Sequence, residues 1–122
     1  MVMSMTREEV DGLLRECASK GRPLSLEGTD LTRVDLGGLD LSGANFRGAV
    51  LAMASLRETN LSEADLRETD LQEADLEEAD LSDALLEGAE VAGASFRGAI
   101  LVGAEFDDVN FDEAILEEAK FI

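Results

Sequence analysis

Histidine, tyrosine and tryptophan are absent from this 122-residue chain, and cysteine and proline occur once each. Without histidine the commonest general base and metal ligand is missing, and with it the usual catalytic triads and Cys/His zinc sets. One cysteine excludes an internal disulfide. Positive charge is scarce too: 10 Lys and Arg stand against 28 Asp and Glu, a net charge of -18. Direct contact with nucleic acid or an anionic membrane is therefore disfavoured, because either polyanion would be repelled. No apolar run has the length of a signal-peptide core or a membrane span, and the simplest expected compartment is a reducing cytoplasm.

Catalytic devices are equally thin. There is no glycine-rich phosphate loop, no nucleophile elbow and no EF-hand loop. Adjacent acids such as Glu77 and Glu78 belong to a repeating surface rather than to an enclosed site that would shift their pKa values. The expectation is a non-enzymatic protein with no cofactor and no dedicated metal site.

What the chain does have is hydrophobic residues, 45% of the total. That is enough for one domain with a real core. The stretch ADLRETDLQEADLEEADLSD, residues 64–83, shows their arrangement. Its composition suits a helix, yet leucines five apart would step by roughly 140° around a helical cylinder and form no stripe. A single strand, with period 2, fits no better. Counting by five from Leu26 to Phe121 gives 20 positions: 14 Leu, 5 Phe and one Val, at Val91. Every phenylalanine lies in this column. Two residues earlier runs a column of 13 Ala, 3 Thr, 2 Val and 2 Leu, from Leu24 to Ala119, without a gap.

These units, among them ADLRE, ADLEE, ADLSD, TDLQE, TNLSE and ANFRG, resemble the A(D/N)Lxx pattern of the pentapeptide repeat family over residues 24–122. The resemblance implies an all-β solenoid, a right-handed quadrilateral β-helix in which four pentapeptides make a coil. About five coils would then be present, and at about 4.8 Å per coil the rod would be about 24 Å long. The Leu/Phe and Ala columns would face inward, a small residue beside a large one sharing a narrow interior.

A stacked solenoid needs capped ends. Residues 1–23 are expected to supply a capping α-helix over roughly 7–19. Thr6 and Glu9 form a capping box, Met5 and Val10 a hydrophobic staple, and Gly21 with Pro23 a stop signal. Val10, Leu13, Leu14 and Cys17 share its apolar face, Cys17 as a small buried hydrophobe. The repeat continues to Ile122, and its final coil holds Phe106, Phe111, Leu116 and Phe121. Quinolone-resistance members of the family stack tail to tail through C-terminal coils, which implies a homodimer through these residues and Ile122.

Function is then expected on the outside of the rod. Residues 24–43 carry a net -3, 44–63 carry 0, 64–83 carry -8, 84–103 carry -1 and 104–122 carry -6. The last position of each repeat alternates between glycine runs and an acidic run from Glu58 to Asp83. Asp65, Glu68, Asp70, Glu73, Asp75, Glu77, Glu78, Asp80 and Asp83 form a candidate acidic belt for a protein partner of unidentified kind. The Asp members also match the family consensus, where a short polar side chain can bond to nearby backbone at a corner. Resemblance to the quinolone-resistance members implies an alternative, an acidic mimic of DNA that occupies the basic groove of a DNA-binding enzyme such as DNA gyrase. This chain is shorter than those members and lacks the insertions that interrupt their repeats. A third reading is a purely structural spacer or assembly unit. Outward apolar residues form two groups: Ile100, Val102 and Ile122 on one side with Ile115 near the adjoining corner, and Val50, Ala52 and Met53 two sides away.

Leu71 and Leu76 provide the first check on the inward columns. Leu71→Asp or Leu76→Asp is expected to abolish the cooperative folded state, read by circular dichroism and urea titration, because an unpaired charge would be buried.

Overall fold

The computed structural model describes residues 4–122, so the first three residues of the expected 1–23 segment lie outside the described residues. One helix, α1 (Arg7–Lys20), precedes the repeats. The Thr6 side chain accepts from the Glu9 N–H, the Glu9 carboxylate accepts from the Thr6 N–H at 3.1 Å, and Gly21 closes the helix in the left-handed conformation with φ 65°. Met5 and Val10 are both buried, as a staple places them.

From Ser25 onwards the chain pairs with itself at a fixed offset. Fifteen parallel bridges join a residue to the one 20 positions later, from Ser25 with Asn45 to Ile100 with Lys120. One bridge falls in each pentapeptide, so each turn has four sides. Between bridges, the N–H of each central residue donates to a carbonyl 19 positions on, as Leu66 does to Leu85 at 2.7 Å and Leu71 to Glu90 at 2.8 Å. The next residue but one repeats the bond at the corner, as Glu68 does to Glu87 at 3.0 Å. Corners close locally when the small residue donates back to the central carbonyl three positions earlier, for example Ala74 to Leu71 at 3.0 Å.

This geometry leaves two inward side chains per side. The central column is buried from Leu26 to Leu101, with Leu31, Phe46, Leu71 and Phe96 at 0% exposure. Thr59 and Thr69 enter the small column without an orphan hydroxyl, since Thr59 Oγ1 donates to the Leu36 carbonyl at 3.0 Å and Thr69 Oγ1 to the Leu66 carbonyl at 2.7 Å. No buried side-chain polar atom among the described residues lacks a partner.

The N-terminal end is covered by more than the helix's apolar face. Ser4 bridges Asp30, the Met5 N–H donates to the Asp30 carbonyl at 3.1 Å, and Arg7 donates to the Gly37 carbonyl at 3.0 Å. Carbonyls that would face a preceding coil are thus partly satisfied. The apolar face of α1 sits more shallowly than the sequence suggests: Val10 is fully buried, but Leu13, Leu14 and Cys17 are half-buried against the core. A helix laid across a square end already filled by Leu26, Leu31 and Leu36 can sink only one turn.

The last turn departs from the regular pattern. The expected bridge of Glu90 to Asn110 is missing, and Gly93 donates to Glu113, 20 positions on rather than 19. Glu113 also lacks the positive φ that its equivalents adopt.

A core substitution tests how tightly the stack is filled. Leu71→Ala should lower unfolding free energy by about 2–5 kcal/mol, measured by urea denaturation, because the neighbours above and below are held by backbone pairing and cannot collapse into the void.

Candidate functional site

The acidic belt is built from three structurally different positions of the repeat, the third held only by Glu77, which directly follows the inward Leu76. Asp65, Asp70, Asp75 and Asp80 stand just before the inward leucine. Each carboxylate accepts the backbone N–H two residues on, from Arg67 at 3.1 Å, Gln72 at 3.0 Å, Glu77 at 3.0 Å and Ser82 at 2.9 Å. Asn45, Asn60 and Asn110 make the same bond elsewhere. Their shared function is to fix a corner, which neutral asparagine does equally well.

Glu68, Glu73, Glu78 and Asp83 occupy the third residue of each corner turn, where φ is 60°, 60°, 62° and 57°. That conformation is the left-handed one required by a type II turn, and glycine is its natural occupant. Gly48, Gly88, Gly93, Gly98 and Gly103 fill the same position elsewhere with positive φ. The alternation of glycine and acid visible in the sequence is therefore a column of strained corners, each non-glycine costing on the order of 1 kcal/mol. The carboxylates lie along the rod over the glycines of the following turn. A Cβ at Gly98 would come within 2.6 Å of Glu78 Oε1, and one at Gly93 within 3.0 Å of Glu73 Cγ.

Arginines neutralise part of the belt. Arg67 forks onto Asp65, with Nη2 2.7 Å and Nε 2.9 Å from its oxygens, and this hydrogen bonding holds the Asp65 carboxyl below the usual carboxylate range. Arg57 reaches Asp75 at 3.1 Å and also contacts Glu77. Arg47 lies 3.6 Å from Glu68. Asp70, Glu73, Glu78, Asp80 and Asp83 have no basic group within 4.0 Å among the described residues.

Stacking in fours also shows how the charge is distributed. Starting the sides at residues 24, 29, 34 and 39 and adding every twentieth-residue equivalent, the net charges are -5, -5, -5 and -3. The belt goes round the rod, and no side is singled out.

The open C-terminal end is a second candidate surface. Phe106 is 37% exposed, while Phe111, Leu116 and Phe121 are half-buried and Ile122 is fully exposed. The rings meet edge to face: Phe106 lies 5.6 Å from Phe111 and 5.7 Å from Phe121, centroid to centroid, and Phe111 lies 5.8 Å from Phe96 beneath. Around them the N–H groups of Phe106, Phe111, Leu116 and Phe121 have no backbone acceptor among the described residues. Val102 and Ile122 continue the apolar surface down the fourth side, with Ile100 partly covered. Ile115 lies not at their corner but one side away, bridged to Ser95, because the Leu116–Ala119 turn intervenes. Met53, with half-buried Val50 and Ala52, stays a separate small patch.

Between α1 and the first coil lies a cavity of 180 Å³ lined by Leu14, Cys17, Arg22, Leu24 and Leu41 among others. It is smaller than the ~300 Å³ at which ordinary small-molecule sites begin. Cys17 is a free thiol at its edge. Among the described residues no cluster of His, Cys, Asp and Glu has metal-binding geometry, and no helix is long and apolar enough to cross a membrane.

Sequence reasoning located both surfaces, but missed the positive φ beneath the acids and the role of Arg7 at the N-terminal edge. The glycine-acid alternation was the available signal for the first. For Arg7 the sequence shows only the i,i+4 pair with Asp11, because the carbonyls it reaches at the edge lie about 30 residues away.

Comparison with known proteins gives one family. The model for pentapeptide repeats matches residues 25–62, 49–88 and 89–122, with eight copies. Among solved structures, a pentapeptide repeat protein from Nostoc Pcc 7120 is similar over 100% of this chain and 99% of its own, at 27% identity and a TM-score of 0.72. A pentapeptide repeat protein from the Arabidopsis thaliana thylakoid lumen is 40% identical over 71% of this chain and 64% of its own, with a TM-score of 0.45. A plasmid-mediated fluoroquinolone resistance protein is 24% identical over 79% of this chain and 66% of its own, with a TM-score of 0.39. No curated protein matches the chain.

Two substitutions test the division of the belt. Glu73→Gly should raise stability by about 0.5–1 kcal/mol in urea denaturation by relieving the left-handed corner, partly offset by the freer unfolded chain. Asp65→Asn keeps the corner bond but loses the Arg67 pairing. Because the folded Asp65 pKa lies below its unfolded value of 3.8, the pairing contributes above that pH and is lost as pH falls through the folded pKa. The stability gap between wild type and Asp65→Asn should be present at pH 7 and close below about pH 4.

Proposed function

We propose that this chain, a member of the pentapeptide repeat family, is a non-enzymatic interaction module that associates with a second copy through its C-terminal coil. The observation that carries this reading is the exposed end built from Phe106, Phe111, Leu116 and Phe121, apolar at its centre and unpaired along its backbone edge. Each side offers only one bridge before the chain turns a corner. A straight peptide could therefore pair with one side or two, whereas a partner matching all four must itself turn every five residues. Another copy of this coil meets that requirement. A two-fold arrangement would hide both open ends at once, and the covered N-terminal end opposes growth into a filament. The rod would then act as a rigid spacer, and a cytoplasmic setting suits its free Cys17.

A second reading, binding of a basic protein partner by the acidic belt, is favoured by one specific observation. Acids occupy six successive left-handed corners, Glu58 to Asp83, where glycine would be more stable. Strain retained at a surface position is a mark of functional residues. The belt could present carboxylates to a groove that normally holds nucleic acid, DNA gyrase being one such target. Against a directed DNA mimic stands the even charge on three of the four sides.

Light scattering separates these readings. At micromolar concentration in about 0.5 M NaCl, where repulsion is screened, the wild type should have a mass of about 26 kDa, twice the 13.1 kDa chain. Val102→Asp and Phe106→Asp should shift it to monomer, and a monomeric wild type would overturn the dimer. For the belt, a variant with glycine at Glu68, Glu73, Glu78 and Asp83 should lose any partner that duplex DNA displaces and salt weakens. Supercoiling by gyrase unaffected by a large excess of wild type would remove that target.

A further inference from the structure

We infer that association through the C-terminal end is gated by ionic strength, each copy's acidic rim opposing the contact that its apolar centre favours; this rests on the dimer reading above. The coil from 104 to 122 carries a net charge of -6. Glu105, Asp107 and Asp108 lie on one side, Asp112 and Glu113 on the next, and Glu117 and Glu118 opposite the first, and all seven are exposed. Lys120 is the coil's only cation. From the turn beneath, Arg97 approaches Glu118 at 3.7 Å, and no other acid of this coil has a basic group within 4.0 Å among the described residues.

Two such ends brought together at the spacing of stacked coils, about 4.8 Å, would set -6 against -6 at separations of roughly 5–10 Å. That is within the Debye length of about 10 Å at 0.1 M salt and beyond the about 3 Å at 1 M. The attractive part is of a different kind. Phe106, 37% exposed, and the half-buried Phe111, Leu116 and Phe121 would be removed from water in a contact that salt does not weaken. Salt therefore removes only the opposing term. The sign is opposite to that of an interface held by ion pairs, which salt would loosen.

Sedimentation velocity on the full chain tests this, at one micromolar concentration series in about 20 mM and about 500 mM NaCl. The dimer dissociation constant should be at least about tenfold lower at the higher salt. A variant combining Glu105→Gln, Asp107→Asn, Asp108→Asn, Glu117→Gln and Glu118→Gln should already dimerise at low salt, with a salt dependence several-fold flatter. All five positions are exposed, and asparagine tolerates the left-handed corner at Asp108, so the circular dichroism spectrum should be unchanged. A wild-type dimer that is indifferent to salt or weakened by it overturns the gate and leaves the dimer standing. A variant with the full wild-type salt slope also overturns it, because salt would then be acting on apolar surface in general. Monomers of both proteins at every salt concentration remove the dimer itself, and the gate with it.

Discussion

The backbone hydrogen bond that links each coil to the next, one N–H to a carbonyl 19 positions later, is the constraint on which the rest depends. It holds the turns in one register, and that register makes a five-residue sequence pattern into inward columns and outward rows. Leu71 and Leu76 are buried because their neighbours above and below lie at the same point of the path. An isolated pentapeptide could bury neither, so stability arises between turns rather than within them. The same bonds leave one end with unspent N–H groups, since the last coil has no successor in the described residues.

Corner geometry divides the outer residues into kinds that charge alone does not separate. Asp70 and Glu73 are three positions apart on the same side and both acidic. Asp70 secures a corner by accepting the Gln72 N–H, while Glu73 sits in the left-handed residue of that corner, where a side chain brings strain. One is accounted for by local structure and the other is not. The -8 of residues 64–83, a sum that already counts Arg67, thus overstates the charge free to meet a partner, because Arg57 and Arg47 from the preceding turn also draw on it.

Opposed forces meet at the C-terminal end. Four edge-to-face aromatic contacts give it an apolar centre, and exposed carboxylates surround that centre. The two ends of the rod are consequently unlike. At the N-terminus Met5 and Arg7 donate to carbonyls of the first coil and α1 lies over it, whereas the far end keeps both its rings and its backbone edge accessible.

By itself, the sequence determined the repeat and its two inward columns, because a period of five with large and small apolar residues admits no helix or flat strand that buries them. It also determined the N-terminal helix, whose capping box and terminal glycine are local signals read within a few residues. Tertiary structure alone decided which sides the charges share and that they are spread evenly, since residues 20 apart become neighbours only after the chain has turned four corners. It likewise decided that Glu68 and Glu73 occupy strained corners, that Arg7 reaches carbonyls 28 and 30 positions away, and that Ile115 stands apart from Val102 and Ile122. The strained corners leave a trace in the alternation of glycine and acid at one repeat position, whereas the other facts depend on long-range register, which the spacing of residues along the chain does not mark.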